Sequence, residues 1–142
     1  PLEGLKNIVS KRTKINYAPG YEIKRGATAS QQMIDDAVKI ASKADVVVYV
    51  GGSFHGYNYA VWSDNAYDAE DTDKPDMLMP FGQDELLKAV LKVNPKTVVV
   101  LMGGGAIDMN QWIDQAPAII QAWYPGMEGG NALGFGAWDL GI

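Results

Sequence analysis

Two runs of apolar residues constrain the fold of this chain more than any other feature. The first run covers residues 46–50 and stops at Gly51-Gly52, and the second covers residues 97–102 and stops at Gly103-Gly104-Gly105. Neither run alternates with polar residues, which is typical of strands that are buried on both faces of a parallel sheet. Helical patterns lie between such runs, so the sequence predicts a parallel α/β sheet.

The other elements follow from helical or alternating spacing. Ser30 is a suitable N-cap for a helix whose apolar positions share one face, and a second helix is expected over residues 82–93. Helical spacing also occurs near residues 2–9 and from about residue 128, and short strands are expected at residues 15–18 and 119–123. We therefore predict a three-layer α/β sandwich over residues 1–142, with a mostly parallel sheet and a Rossmann-like strand order.

Composition excludes several classes of function. The chain has 142 residues with 12 basic and 17 acidic side chains, a net charge of −5 and no basic run. This balance argues against partners such as nucleic acid and anionic membranes, and the apolar runs are too short to span a bilayer. Cysteine is absent, which excludes disulfides and thiol chemistry.

The glycine clusters after the apolar runs suggest a nucleotide site, but their spacing does not fit one. Gly51-Gly52-Ser53-Phe54-His55-Gly56 lacks the Lys-Ser/Thr pair of a phosphate-binding loop, and the other clusters lack the dinucleotide-binding spacing. Glycine at a strand end often only permits the turn into the next helix. A small-molecule or nucleotide-binding Rossmann-like module without catalysis remains the alternative function.

Residues 53–79 form a long, polar and aromatic segment, and long loops within a compact domain are usually functional. Its carboxylates suit a solvated acidic loop or a calcium site, although the EF-hand pattern is missing and we predict no metal. These carboxylates are Asp64, Asp68, Glu70, Asp71, Asp73 and Asp76. A single acid beside an aromatic wall would suffice for proton transfer, because desolvation raises its pKa.

Aromatic side chains and the only histidine are further candidates for ligand contact. Trp62 lies in the polar segment, where an indole has little reason to be buried, so a ligand-facing role competes evenly with packing. His55 follows a strand, where a loop role is the simpler interpretation and a hydrogen bond to substrate is the alternative. Trp123 and Tyr124 end a predicted buried strand, so we expect both to pack in the interior.

Several phrases together resemble one enzyme family. They include Leu78-Met79-Pro80-Phe81-Gly82-Gln83-Asp84-Glu85-Leu86, Asn94-Pro95-Lys96-Thr97-Val98-Val99-Val100 and Ala122-Trp123-Tyr124-Pro125-Gly126-Met127-Glu128-Gly129-Gly130-Asn131-Ala132-Leu133. Nearly end to end, the chain resembles the second, α/β-sandwich domain of glycoside hydrolase family 3. The resemblance implies a retaining, exo-acting, β-glucosidase-like hydrolase of two domains, in which a barrel domain supplies an aspartate nucleophile.

The resemblance also implies roles for particular residues. Glu70-Asp71-Thr72-Asp73-Lys74 matches the Glu-Gly-x-Asp-Arg string of bacterial members, with Asp71 for glycine and Lys74 for arginine. It therefore implies that Glu70 is the acid/base, with Asp68 as the reserve candidate. Trp62, Tyr67 and His55 are the expected sugar contacts, and the mechanism requires no cofactor.

The resemblance finally implies a sheet that lacks border strands at both ends of the chain. A truncated sheet exposes unpaired edges, so pairing with a second copy is expected to be possible. Because the nucleophile belongs to the barrel domain, we expect the isolated chain to be inactive.

Overall fold

A computed structural model describes residues 1–24, 26–56, 67–69 and 73–139 of the chain, with the side chains of residues 135 and 137–139 left aside. Helices and strands alternate along it. In chain order the elements are α1 Leu2–Ile8, α2 Gln31–Ala41, β1 Val47–Gly52, α3 Gln83–Val93, β2 Thr97–Met102, the 3₁₀ turn Ile113–Gln115, β3 Ala118–Gln121 and α4 Gly129–Asp139.

The three strands form one parallel sheet in the sequential order β1-β2-β3. This is the order found in one half of a doubly wound sheet. The central strand β2 has Val98, Val99, Val100 and Leu101 all buried, at 4 %, 0 %, 3 % and 1 % exposure, so both of its faces are covered. The prediction of a parallel α/β fold from continuous apolar runs is therefore confirmed.

Helices α2 and α3 pack on each other and cover the sheet face that carries Tyr49, Val99 and Leu101. The Ser30 side chain accepts a hydrogen bond from the Met33 N–H at 3.2 Å, which confirms the predicted N-cap of α2. Leu87 of α3 is fully buried in this core. Burial of one such side chain contributes about 1.5–3 kcal/mol to stability.

The first turn of α3 joins separate parts of the chain. Gly82 adopts a left-handed conformation with φ of 71°, and a β-carbon there would lie 2.5 Å from the Ala29 nitrogen. The Gln83 side chain bonds Gly52, the last residue of β1. Asp84 accepts hydrogen bonds from the Met79 N–H at 3.0 Å and from the Trp112 indole N–H at 2.7 Å. The first turn of α3 is thus bonded to the end of β1, to Met79 just before the helix, and to Trp112.

Helices α1 and α4 form a second packing unit. They approach so closely at Gly4 that a β-carbon there would overlap the carbonyl of Gly130, and a β-carbon on Gly134 would lie 2.9 Å from the Gly4 carbonyl carbon. Glycine at these positions is what permits the contact.

One predicted strand is wrong. Residues 13–20 have no regular secondary structure, so the strand expected at residues 15–18 does not form. Among the described residues no strand pairs with this segment, in which Tyr17 is 66 % exposed whereas Ala18 packs against the core. Within the described residues, no helix has the length and apolar character needed to cross a membrane.

Candidate active site

Residues that follow the three strands meet at one edge of the sheet. The carboxyl ends of parallel strands share an edge, where open α/β sheets bind ligands. The segment of residues 67–69 also reaches this edge, because the N–H groups of Tyr67 and Asp68 both donate to the Phe54 carbonyl, at 2.8 and 2.9 Å. Since Phe54 lies just beyond β1, these bonds hold Tyr67 and Asp68 beside the strand ends.

Asp68 is the best-connected polar group described at this edge. Its Oδ2 accepts hydrogen bonds from the Gly104 N–H at 2.6 Å and from the Tyr124 hydroxyl at 3.0 Å. The Lys74 Nζ lies 3.7 Å from Oδ1 and donates to the Ala106 carbonyl at 3.1 Å. The carboxylate thus joins the segment after β1 to those that follow β2 and β3.

The glycines after β2 provide the space that this arrangement needs. A β-carbon on Gly104 would lie 3.1 Å from the Tyr124 ring and 3.4 Å from the Asp68 carboxylate. A β-carbon on Gly105 would lie 2.9 Å from the Lys74 ammonium nitrogen. The glycine triplet therefore permits close approach of a carboxylate, and it is the Gly104 N–H that bonds this carboxylate.

Electrostatics around Asp68 favour its ionised form. Burial raises the pKa of its carboxyl, but the Gly104 N–H, the Tyr124 hydroxyl, Lys74 and the Gly105 N–H together outweigh burial, so the pKa of Asp68 lies below its usual value. Burial, followed by the hydrogen bond and the charge of Asp68, raises the pKa of Tyr124 well above its usual value. The pair is therefore a neutral phenol that donates to a carboxylate across the neutral pH range.

Two of the expected sugar contacts lie near this carboxylate. His55 is exposed and meets the Tyr124 ring edge-on, with centroids 5.8 Å apart. Tyr67 is half-buried and packs edge-on against Phe81, with centroids 5.5 Å apart. His55 thus contacts the tyrosine that bonds Asp68, whereas Tyr67 contacts a buried ring, and the contact of either with a sugar stays a prediction.

Two aromatic residues after β3 were mispredicted. Trp123 is 59 % exposed and Tyr124 is 43 % exposed, so the expectation that both pack in the interior is wrong. The strand ends at Gln121, and Trp123 adopts a left-handed backbone with φ of 55° while its carbonyl accepts from the Gly103 N–H at 3.3 Å. Sequence analysis also missed Tyr124, Gly104 and Lys74 as partners of Asp68. Gly104 and Tyr124 each lie just past the end of a strand, and this position is the sequence signal that could have identified them.

Glu70 and Trp62, the expected acid/base and a further expected sugar contact, lie outside the described residues. Among the residues that are described, no three carboxylate or histidine side chains come together in a way that would hold a metal ion. The described part of the site therefore consists of one ionised carboxylate, its donors and an aromatic surround.

Comparison with known proteins identifies the family. A model of the glycosyl hydrolase family 3 C-terminal domain matches residues 1–135. The chain belongs to this family. The resemblance carried by the sequence phrases is thereby confirmed, and the parallel α/β fold agrees with the solved structures of family members.

Relatives in glycosyl hydrolase family 3 share the domain at moderate identity. A β-glucosidase of Rhizobium radiobacter is 42 % identical over 100 residues, covering 70 % of this chain and 11 % of that protein. A β-xylosidase of Formosa agariphila is 33 % identical, covering 93 % and 16 %. A crystal structure of a β-glucosidase from Bifidobacterium adolescentis superposes with a TM-score of 0.73 at 30 % identity, covering 93 % and 18 %. The chain thus spans less than a fifth of the length of these relatives.

Proposed function

We propose that this chain is the acid/base-bearing domain of a retaining, exo-acting β-glycosidase, with Glu70 as the acid/base. The observation that carries the proposal is the fixed carboxylate of Asp68 at the strand ends, two residues before Glu70 in sequence. Lys74, which ends the matching family string, lies beside the same carboxylate. Asp68 before Glu70 and Lys74 after it are thus both held at the edge where this fold class binds ligands.

The chemistry requires a second carboxyl group from another domain. Retaining hydrolysis uses two carboxyl groups about 5–5.5 Å apart, one as nucleophile and one as proton donor. We propose that an N-terminal barrel domain supplies the nucleophilic aspartate. That aspartate attacks the anomeric carbon while Glu70 gives its proton to the leaving oxygen, and Glu70 then takes a proton from the water that hydrolyses the glycosyl intermediate.

Asp68 is less suited than Glu70 to the acid role. A proton donor has to begin the reaction protonated near neutral pH. The donors around Asp68 favour its carboxylate form and lower its pKa. We therefore assign proton transfer to Glu70 and treat Asp68 as a carboxylate that stays ionised near neutral pH.

The proposed substrates are terminal β-glucosides, with β-xylosides as the second class. The relatives named β-glucosidase and β-xylosidase support this choice. Trp62, Tyr67 and His55 are the proposed sugar contacts, and the exposed indole of Trp123 adds a surface on which a sugar ring can stack. Rates for aryl β-glucosides and aryl β-xylosides, measured side by side, will rank the two classes.

The decisive experiment replaces Glu70 by glutamine in the full-length enzyme. Loss of the proton donor should lower kcat/KM about 100-fold or more for glycosides with poor leaving groups. Activated aryl glycosides need little protonation, so their kcat/KM should change little, and azide should restore turnover of the trapped intermediate. Equal rates of wild type and Glu70→Gln on both substrate types would remove Glu70 from the role.

A matched control comes from the same segment. Asp73→Asn removes an exposed carboxylate three residues from Glu70 and should leave the dependence on leaving group unchanged.

The isolated chain should release no aryl group from any substrate, because it lacks the proposed nucleophile. Substantial turnover by the isolated chain would contradict the two-domain mechanism.

We also propose that the outer edge of β3 binds another strand, from a second copy of the chain. In the described part of the sheet β3 pairs only with β2, which leaves the other side of its backbone unpaired. Such edges readily add strands. Light scattering of the isolated chain across a hundredfold concentration range should reveal a dimer, and a constant monomeric mass would reject the pairing.

A further inference from the structure

The contacts of Asp68 are more extensive than a loop carboxylate requires. Its side chain is only 14 % exposed, and its two oxygens face Gly104, Tyr124 and Lys74. The backbone N–H of the same residue donates to Phe54 beyond β1. One residue therefore bonds to the segments that follow all three strands of the sheet.

We propose that Asp68 is a positioning residue for Glu70, because it holds residues 67–69, directly before Glu70, at the carboxyl ends of β2 and β3. This inference rests on the function proposed above, in which Glu70 transfers the proton. Two residues of extended chain span at most about 7 Å, so a backbone fixed at Asp68 restricts where the next acid can lie. Position matters because a displacement of about 1 Å can cost about 100-fold in rate.

Lys74 completes the anchor on the other side of Glu70. Its ammonium group lies 3.7 Å from Asp68 and donates to the Ala106 carbonyl at 3.1 Å, so the chain is also held at residue 74. The close fit of Gly104 and Gly105 against these groups leaves no room for a larger residue without displacement. The Asp68 carboxylate is thus bound by the backbone N–H groups of Gly104 and Gly105, which it can approach because these residues have no side chain.

The test compares Asp68→Ala, Asp68→Asn and Tyr124→Phe in the full-length enzyme. Alanine removes every contact of the carboxylate. Asparagine keeps an oxygen that can accept from both the Gly104 N–H and the Tyr124 hydroxyl, and it loses the charge that faces Lys74, so it should rescue part of the activity. Phenylalanine removes only one donor and should have the smallest effect. Thermal melts will identify which variants remain folded.

For folded Asp68→Ala we expect kcat/KM to fall about 100-fold for glycosides with poor leaving groups and less than about threefold for dinitrophenyl glycosides. Asp68→Asn should recover at least about tenfold of that loss. A purely structural role would lower both substrate classes together, so equal losses, or no loss, would overturn the proposal. Equal inactivity of the alanine and asparagine variants would make Asp68 the proton donor and would also overturn it.

Two comparisons keep the test decisive. If Asp68→Ala does not fold, Tyr124→Phe decides: a loss confined to poor leaving groups supports the anchor, and unchanged rates overturn it. Glu70→Gln separates the two proposals. A defective Glu70→Gln beside unaffected Asp68 variants would refute the positioning role alone, whereas an unaffected Glu70→Gln would refute the proposed function.

Discussion

The side-chain amide of Gln83 bonds both backbone groups of Gly52, donating to its carbonyl and accepting from its N–H, each at 2.8 Å. Gly52 is the last residue of β1, so the amide supplies the pair of hydrogen bonds that a neighbouring strand would supply. The Tyr49 hydroxyl in turn donates to the Gln83 carbonyl at 3.1 Å. Gln83 is fully buried, and these bonds account for a polar side chain in an apolar core.

Replacing Gln83 by leucine should destabilise the domain by about 2–4 kcal/mol, because each unpaired buried backbone group costs about 1–3 kcal/mol. The measurement is urea unfolding followed by circular dichroism. Gln32→Leu on the exposed surface of α2 is the control and should change the free energy of unfolding by less than about 0.5 kcal/mol. Similar values for the two variants would contradict the role of Gln83.

Asp84→Asn tests the second buried anchor of the same turn. Both Asp84 oxygens accept hydrogen bonds, from Met79 and from Trp112, and the side chain is 3 % exposed. Asparagine offers only one oxygen, so one N–H would face an NH₂ group at a cost of about 1–3 kcal/mol. Asp114→Asn on the exposed 3₁₀ turn should be nearly neutral in the same urea assay, and equal stability of both variants would argue against the contact.

The stability contributed by Asp68 should depend on pH. Burial raises the pKa of the Asp68 carboxyl, but the surrounding donors and Lys74 lower it by more. The folded-state pKa therefore lies below the usual value for aspartate. A folded-state pKa below the unfolded value of about 3.9 gives stability that is present above that pH and is lost as pH falls through the folded-state pKa. The deficit of Asp68→Asn in unfolding free energy should therefore be full at pH 7 and should shrink below pH of about 4. Urea unfolding at pH 7, 5 and 3 checks this, and a constant deficit would contradict it.

Gly4→Ala should separate α1 from α4. A β-carbon on Gly4 would overlap the Gly130 carbonyl, and overpacking of this kind costs about 1–3 kcal/mol. Gly136→Ala in α4 is the matched control, since no described atom lies within 4 Å of the position that its β-carbon would take. Alanine there should raise stability by up to about 1 kcal/mol through helix propensity. Calorimetric melting of both variants measures the difference, and a neutral Gly4→Ala would mean that the helices do not meet at this residue.

Sequence patterns predicted the strands whose surroundings are the same on both faces. Both continuous apolar runs became strands, and the reason is clearest for β2, the central strand of the described sheet, which is buried at nearly every position. The alternating segment at residues 13–18 was mispredicted because alternation records which side chains are buried, and it does not record whether a partner strand exists. Ala18 is partly buried there without any ladder.

The site was predictable only in part. Sequence analysis selected the acidic segment and its place beyond a strand end, but the Asp68 partners Gly104 and Tyr124 lie 36 and 56 residues away. Contacts of such sequence separation depend on strand order, which local patterns do not encode. Trp123 and Tyr124 were assigned to the core because apolar residues continue past Gln121, although β3 itself ends there.

The two anchors of α3 have a consequence for how this domain diversifies. Gln83 holds Gly52 and its neighbour Asp84 holds Met79, so adjacent side chains secure both ends of the intervening segment. The entropy of closing a loop grows slowly, by about 0.6 kcal/mol for each doubling of length. Insertions and deletions between these two anchors, outside residues 67–74 of the proposed site, should therefore cost the scaffold little stability, so this part of the domain can vary in length while β1 and α3 stay in place.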